Sequence, residues 1–219
     1  MNDSYIDIYC ERTGPEYWSE PVNAATNFSF IICALLVGRM IRRRASPGSR
    51  DVVPWVLCVL IFVIGVGSWL FHTHATRWAL LSDVIPIAIF ILTYTWYALR
   101  RFVGATAIVC GLGVAAVLGI AMAVPLLTGF RGGAYVAALI AMLLIGGYLQ
   151  ISRSSLAGTA LLLAGAVFFV SLMLRTFDLP LCGYFALGTH FAWHVLNAIV
   201  LFIVARALVM HGRVFDSVG

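Results

Sequence analysis

Seven stretches in which polar side chains all but vanish divide the chain, at residues 22–40, 53–72, 79–99, 103–127, 133–151, 156–174 and 186–210. Each is close to the roughly 20 residues that carry an α-helix across a hydrocarbon core. None alternates with period two, so the pattern predicts helices that satisfy their own backbone in lipid, not barrel strands. Pro125 is expected to end or kink the fourth helix, and Pro86 to fall in the first turns of the third, where a missing N–H is tolerated. The predicted fold is all-α, a polytopic bundle of seven transmembrane helices. With no internal repeat and no long linker, residues 1–219 read as one domain whose first 20 residues form an extramembrane acidic cap.

Composition sharpens this by exclusion. A chain of 219 residues that is 62% hydrophobic and 11% charged has too little interior, as a soluble globule, to hide its apolar side chains. The net charge is +5, but every basic residue is an arginine in or near a short inter-helix loop, with no aromatic-interleaved patch for bases, so nucleic acid is not a partner. The absence of lysine excludes a retinal pigment, whose Schiff base needs one. The acidic cap has no basic segment followed by an apolar core, so no cleaved signal peptide is expected.

Arginine also sets the expected orientation. Placing the first inter-helix loop inside puts Arg39, Arg42, Arg43, Arg44, Arg50, Arg100, Arg101, Arg153, Arg206 and Arg213 in the cytoplasm and leaves Arg12, Arg77, Arg131 and Arg175 outside. By the positive-inside bias the N-terminus faces out and the C-terminus in. The protein is expected to be an integral multi-pass membrane protein, in a bacterium lodged in the inner membrane.

This topology brings a set of polar residues to one depth. Ser68 and His72 lie four apart at the end of the second span, Asp83 opens the third, and His190 and His194 lie four apart in the first turns of the seventh. Residues four apart share a helix face. Ionisable groups in the bilayer cost a few kcal/mol each, so their convergence in the outer third is a functional signal. Three imidazoles leave one tetrahedral position open to water, the arrangement of a catalytic zinc. The rival is a non-enzymatic seven-helix receptor in which zinc ties helices together. Asp83 separates the two, since a structural site is closed by a fourth protein ligand, whereas a carboxylate held back to grip water belongs to chemistry. A metalloprotease is disfavoured because no His-Glu-x-x-His occurs. His74 and His211 are expected to be solvated, and Trp69, Trp78 and Trp193 to form an interfacial belt.

The run Ser68-x-x-Phe71-His72, Asp83 eleven residues on, and Gly188-Thr189-His190-Phe191-Ala192-Trp193-His194 resemble the alkaline ceramidases, seven-helix zinc amidases of a wider intramembrane hydrolase superfamily. Tyr9-Cys10-Glu11 and Glu20-Pro21-Val22-Asn23 are similar to that family's cap and first-helix entry. The wider superfamily also holds receptor-like members, and the Cys-Glu run with the Thr-His-x-x-Trp-His ending favours the ceramidase branch. The resemblance implies His72, His190 and His194 as zinc ligands, Asp83 as the group that holds water and takes its proton, and Ser68 as a donor to the oxyanion. The substrate would be ceramide or a ceramide-like N-acyl lipid, entering from the membrane. The resemblance also implies a calcium ion in the cap. Glu11 and Glu20 match its ligands there, while Tyr9 replaces a Trp, Thr13 an Asn, and Asp7 sits one position early because Ile8 occupies the expected place. Finally, Cys10 and Cys182 fall on the exterior side, where the redox environment sustains a disulfide. The resemblance points to the same pair. Cys33, Cys58 and Cys110 lie within spans and read as packing residues.

Overall fold

The computed structural model describes residues 5–44 and 51–213; the first four cap residues and Arg50 lie outside them. Among the described residues seven helices are long and apolar enough to cross a membrane, and no strand occurs. The first span is α1 (Pro21–Thr26) followed by α2 (Phe28–Arg44); then come α3 (Val53–His74), α4 (Arg77–Ala98), α5 (Ala107–Thr128), α6 (Gly133–Arg153), α7 (Leu156–Thr176), the single turn α8 (Asp178–Leu181) and α9 (His190–His211).

The core runs between these helices, with Val37, Leu57, Ile61, Leu161 and Leu208 almost wholly buried. Outward faces are apolar too: Ile108, Leu112 and Met122 of α5 are exposed. A bundle that is greasy on its outer face needs lipid, not water, around it.

Local chemistry explains where helices stop. Gly104, at φ 81°, ends the wider turn Leu99–Val103 that extends α4, and the side chain of Thr106 then accepts from the Val109 amide to open α5. The fourth span therefore begins at Ala107 and not at 103. The seventh begins at His190 and not at 186, because Gly188 is left-handed at φ 68° and the chain before it turns. Pro86 lies well inside α4, since that helix already starts at Arg77; Pro125 lies inside α5, which continues to Thr128.

Two features fix the ends of the bundle. At one end α3 passes into α4 through Ala75 and Thr76, and Gly67 lets the two backbones close up: a Cβ there would fall 2.0 Å from the Ser82 carbonyl oxygen. At the opposite end Arg101 forms a bidentate pair with Asp51, both bonds 2.7 Å. Burial favours the neutral Asp51 carboxyl, but the Arg101 guanidinium outweighs it and holds the carboxyl below its ordinary range.

Candidate active site

His72 lies in the last turn of α3, and His190 opens α9 with His194 one turn on, so the three imidazoles meet at the Gly67 end of the bundle. Each is about 1–2% exposed. Ring centroids lie 4.6 Å (His190 to His194), 4.7 Å (His72 to His194) and 5.1 Å (His72 to His190) apart. One nitrogen from each can be chosen so that all three lie within 4.8 Å of one another. Among the described residues this is the one group of three or more His, Cys, Asp or Glu side chains that could hold a metal.

The surroundings fix two of the rings. Glu20 Oε2 pairs with His72 Nδ1 at 2.6 Å. For Glu20, burial favours the neutral acid, yet His72 and Arg12 together hold its carboxyl below the ordinary range. An ionised carboxylate only accepts, so the hydrogen sits on His72 Nδ1 and the Nε2 lone pair is left for a metal. Thr26 Oγ1 lies 2.9 Å from His194 Nδ1 and orients that ring from α1. Tyr9 stacks on His190 with centroids 3.5 Å apart, and burial raises its phenol well above the usual range. His190 Nδ1 is buried without a hydrogen-bond partner. Three imidazoles, second partners on two of them and one orphaned nitrogen fit a borderline-soft divalent metal such as zinc.

Asp178 organises the approach to α9. Its Oδ1 accepts the amides of Thr189 (2.6 Å) and His190 (2.8 Å), satisfying N–H groups that a helix start leaves open, and its Oδ2 accepts the Cys10 amide at 2.9 Å. Gly188 makes room for this, since a Cβ there would lie 2.2 Å from Asp178 Oδ1 and 2.6 Å from Cys10 Cβ. Cys10 and Cys182 are joined by a disulfide, Cα atoms 5.4 Å apart. The cap is thus stitched to the loop that presents the two α9 histidines.

Ser68 and Asp83 face the same cavity as His190 and His194. Behind them the cavity runs between α4, α6 and α9 past Phe90, Tyr94 and Leu201 to Val204. Val204 is fourteen residues beyond His190, which along a helix is about 21 Å. Arg175, in the last turn of α7, lines the same cavity.

The residues expected to bind calcium are otherwise engaged. Glu11 accepts the Val22 and Asn23 amides at 2.7 Å each, capping α1; burial raises its carboxyl despite those two bonds. Glu20 takes Arg12 on Oε1, and His72 and Asn23 Nδ2 (3.0 Å) on Oε2. Asp7 is exposed. The fully buried Arg12 guanidinium also donates to the carbonyls of Gly14 (3.0 Å) and His72 (2.8 Å). Glu11, Glu20 and Asp7 do not fit a calcium site here, because a protein cation already stands among the oxygens that one would need.

Several of these roles have no signal in the spacing of the sequence. Asp178, Thr26 and Arg12 sit far from the histidines along the chain and act only through packing. Trp193 is 4% exposed, set against Tyr135 and Phe168 in the core, and does not belong to an interfacial belt. His74 is exposed, between Tyr17 and Trp78.

Fold and site define a multi-pass helical membrane protein with a buried three-histidine centre at the head of an apolar cavity. The ceramidase family model matches residues 2–215, nearly the whole chain, and the chain belongs to that family, hydrolases acting on the amide bond of ceramide. Among curated proteins none matches the sequence significantly.

Proposed function

We propose that this chain is a zinc-dependent intramembrane amidase that cleaves the N-acyl bond of ceramide or a ceramide-like lipid into a fatty acid and a long-chain amine. The observation that carries this is the placement of His72, His190 and His194 beside Asp83 and Ser68 at the head of a cavity lined by apolar side chains. All 219 residues act as one domain, with the site end of the bundle facing the exterior, or the periplasm in a bacterium. The arginine-rich end that holds Arg42, Arg43, Arg44, Arg101 and Arg153 faces the cytoplasm.

A zinc ion held by the three histidines would supply Lewis acidity, drawing the pKa of water from about 15.7 toward 7 and polarising the amide carbonyl. Asp83 orients the attacking water and accepts its proton, then delivers that proton to the amide nitrogen as the C–N bond breaks and the new C–O bond completes the acid. Ser68, which lines the same cavity as Asp83, turns its hydroxyl to the carbonyl oxygen as negative charge gathers there. One such donor lowers a barrier by roughly 3 kcal/mol. The acyl chain lies in the slot toward Tyr94 and Val204, held by burial of its methylenes at about 0.8 kcal/mol each.

The test is release of fatty acid from ceramide by purified protein, read by mass spectrometry, for wild type and Asp83→Asn. Asp83→Asn keeps shape and metal and removes the proton acceptor, so turnover falls at least about a hundredfold with metal content unchanged. Equal turnover in the two proteins rejects the assignment of Asp83; no hydrolysis by wild type across a panel of N-acyl lipids favours a receptor instead.

A further inference from the structure

The cavity wall carries a cation that the chemistry above leaves unused. Arg175 lies in the last turn of α7, and its Nη2 is 3.4 Å from the Tyr9 hydroxyl, the one hydrogen-bond acceptor it has among the described residues. Its guanidinium stands over the rings of Tyr135 (5.1 Å) and Trp193 (5.7 Å). No ion pair among the described residues includes it: those formed are Arg12 with Glu20, His72 with Glu20, and Arg101 with Asp51. Asp83 lines the same cavity but is not within ion-pair distance of it.

A guanidinium has five N–H donors in a planar fork suited to two acceptor oxygens at once. Other arginines of the protein use that fork: Arg12 makes three hydrogen bonds and Arg101 makes two to a carboxylate. Arg175 spends one donor on a long bond, and its faces on aromatic rings. The stacked rings fix the plane of the fork and leave its remaining N–H donors without a protein acceptor among the described residues.

Position tells which part of a lipid would meet it. The acyl slot runs along α9 from His190 toward Val204. Arg175 sits at the other end, one ring away from the histidines, since the Tyr9 that it touches is the ring stacked on His190. With the amide at the histidines and the acyl chain in the slot, Arg175 meets the amine portion. We propose that Arg175 is a specificity-determining residue that receives an anionic oxygen group on the amine side of the substrate, so that the preferred lipids are ceramide-like amides with a phosphate or carboxylate next to the amide. This rests on the amidase reading of the site.

The experiment compares ceramide with ceramide 1-phosphate of identical chains, taking the ratio of kcat/KM for the two lipids in wild type, Arg175→Lys and Arg175→Gln. Wild type prefers the phosphate by at least roughly tenfold, the scale of a charge-assisted bidentate contact. Arg175→Lys retains charge without the fork and lowers the ratio several-fold while keeping it above one; Arg175→Gln brings it to about one, chiefly through KM. A role confined to packing would depress both lipids alike and leave the ratio untouched, which overturns the proposal. So does a wild-type ratio near one, a result that needs no variant to fold. If Arg175→Gln keeps the wild-type ratio and only relieves inhibition by added oleic acid, the fork serves the product carboxylate and the proposal is wrong. If neither lipid is hydrolysed, the amidase reading fails by itself; the ratio of dissociation constants for the two lipids, measured by thermal shift, then decides Arg175 by the same criterion.

Discussion

Glu20 Oε2 lies 2.6 Å from His72 Nδ1 while the other oxygen of the same carboxylate holds the Arg12 guanidinium. One buried acid therefore fixes the tautomer of an imidazole in the last turn of α3 and ties it to the cap. Replacing Glu20 by Gln keeps the volume and removes the charge. Zinc affinity should fall about 10- to 100-fold, the usual cost of losing a carboxylate behind a ligating histidine. Competition with a chromogenic chelator measures it, and an unchanged affinity would mean that His72 does not depend on this partner.

Arg12 leads to a second expectation. Because its guanidinium supplies the positive charge in the cap, added calcium or a calcium-selective chelator should leave the thermal midpoint within about 1 °C. Arg12→Ala strands the buried Glu20 carboxylate and should destabilise by roughly 3–5 kcal/mol, the range for removing one partner of a buried pair. A calcium-dependent rise in the wild-type midpoint would show that the ion has a place in the cap after all.

The Cys10–Cys182 bridge closes a loop of 172 residues, for which chain entropy sets an upper bound of about 5 kcal/mol. The bridge touches the turn that carries Asp178 and Gly188, so its loss should loosen His190 as well as lower stability. Cys182→Ser, or wild type under strong reductant, should melt earlier and lose zinc faster in chelator. Melting earlier with an unchanged rate of zinc loss would make the bridge a stabiliser of the cap alone.

Much of this was legible in the chain. Span number follows from apolar length, which lipid enforces, and the pairs Ser68/His72 and His190/His194 follow from helical repeat. Two helix starts were not. Apolar residues around 103 and 186 continue the hydropathy of the spans, but Gly104 and Gly188 adopt left-handed backbone that stops a helix regardless of hydropathy. Pro86 was misplaced for the reverse reason: Arg77 and Trp78 look like loop, yet α4 already begins there. The cap acids illustrate a deeper limit. Glu11 and Glu20 stand where calcium ligands would, and only packing reveals that helix amides and Arg12 have taken their oxygens. Asp178 could have been noticed as an acid shortly before the His-x-x-x-His pair, but nothing in its spacing says that it binds the Thr189 and His190 amides.

Metal content per chain, determined by inductively coupled plasma mass spectrometry on detergent-purified wild type, His190→Ala and His194→Ala, tests the central claim most directly. The account predicts about one zinc per wild-type chain and close to none in either variant, each variant still inserting in the membrane and retaining its Cys10–Cys182 bridge. Full zinc in both variants, or a wild-type protein that remains metal-free after incubation with zinc and still cleaves ceramide, would contradict it.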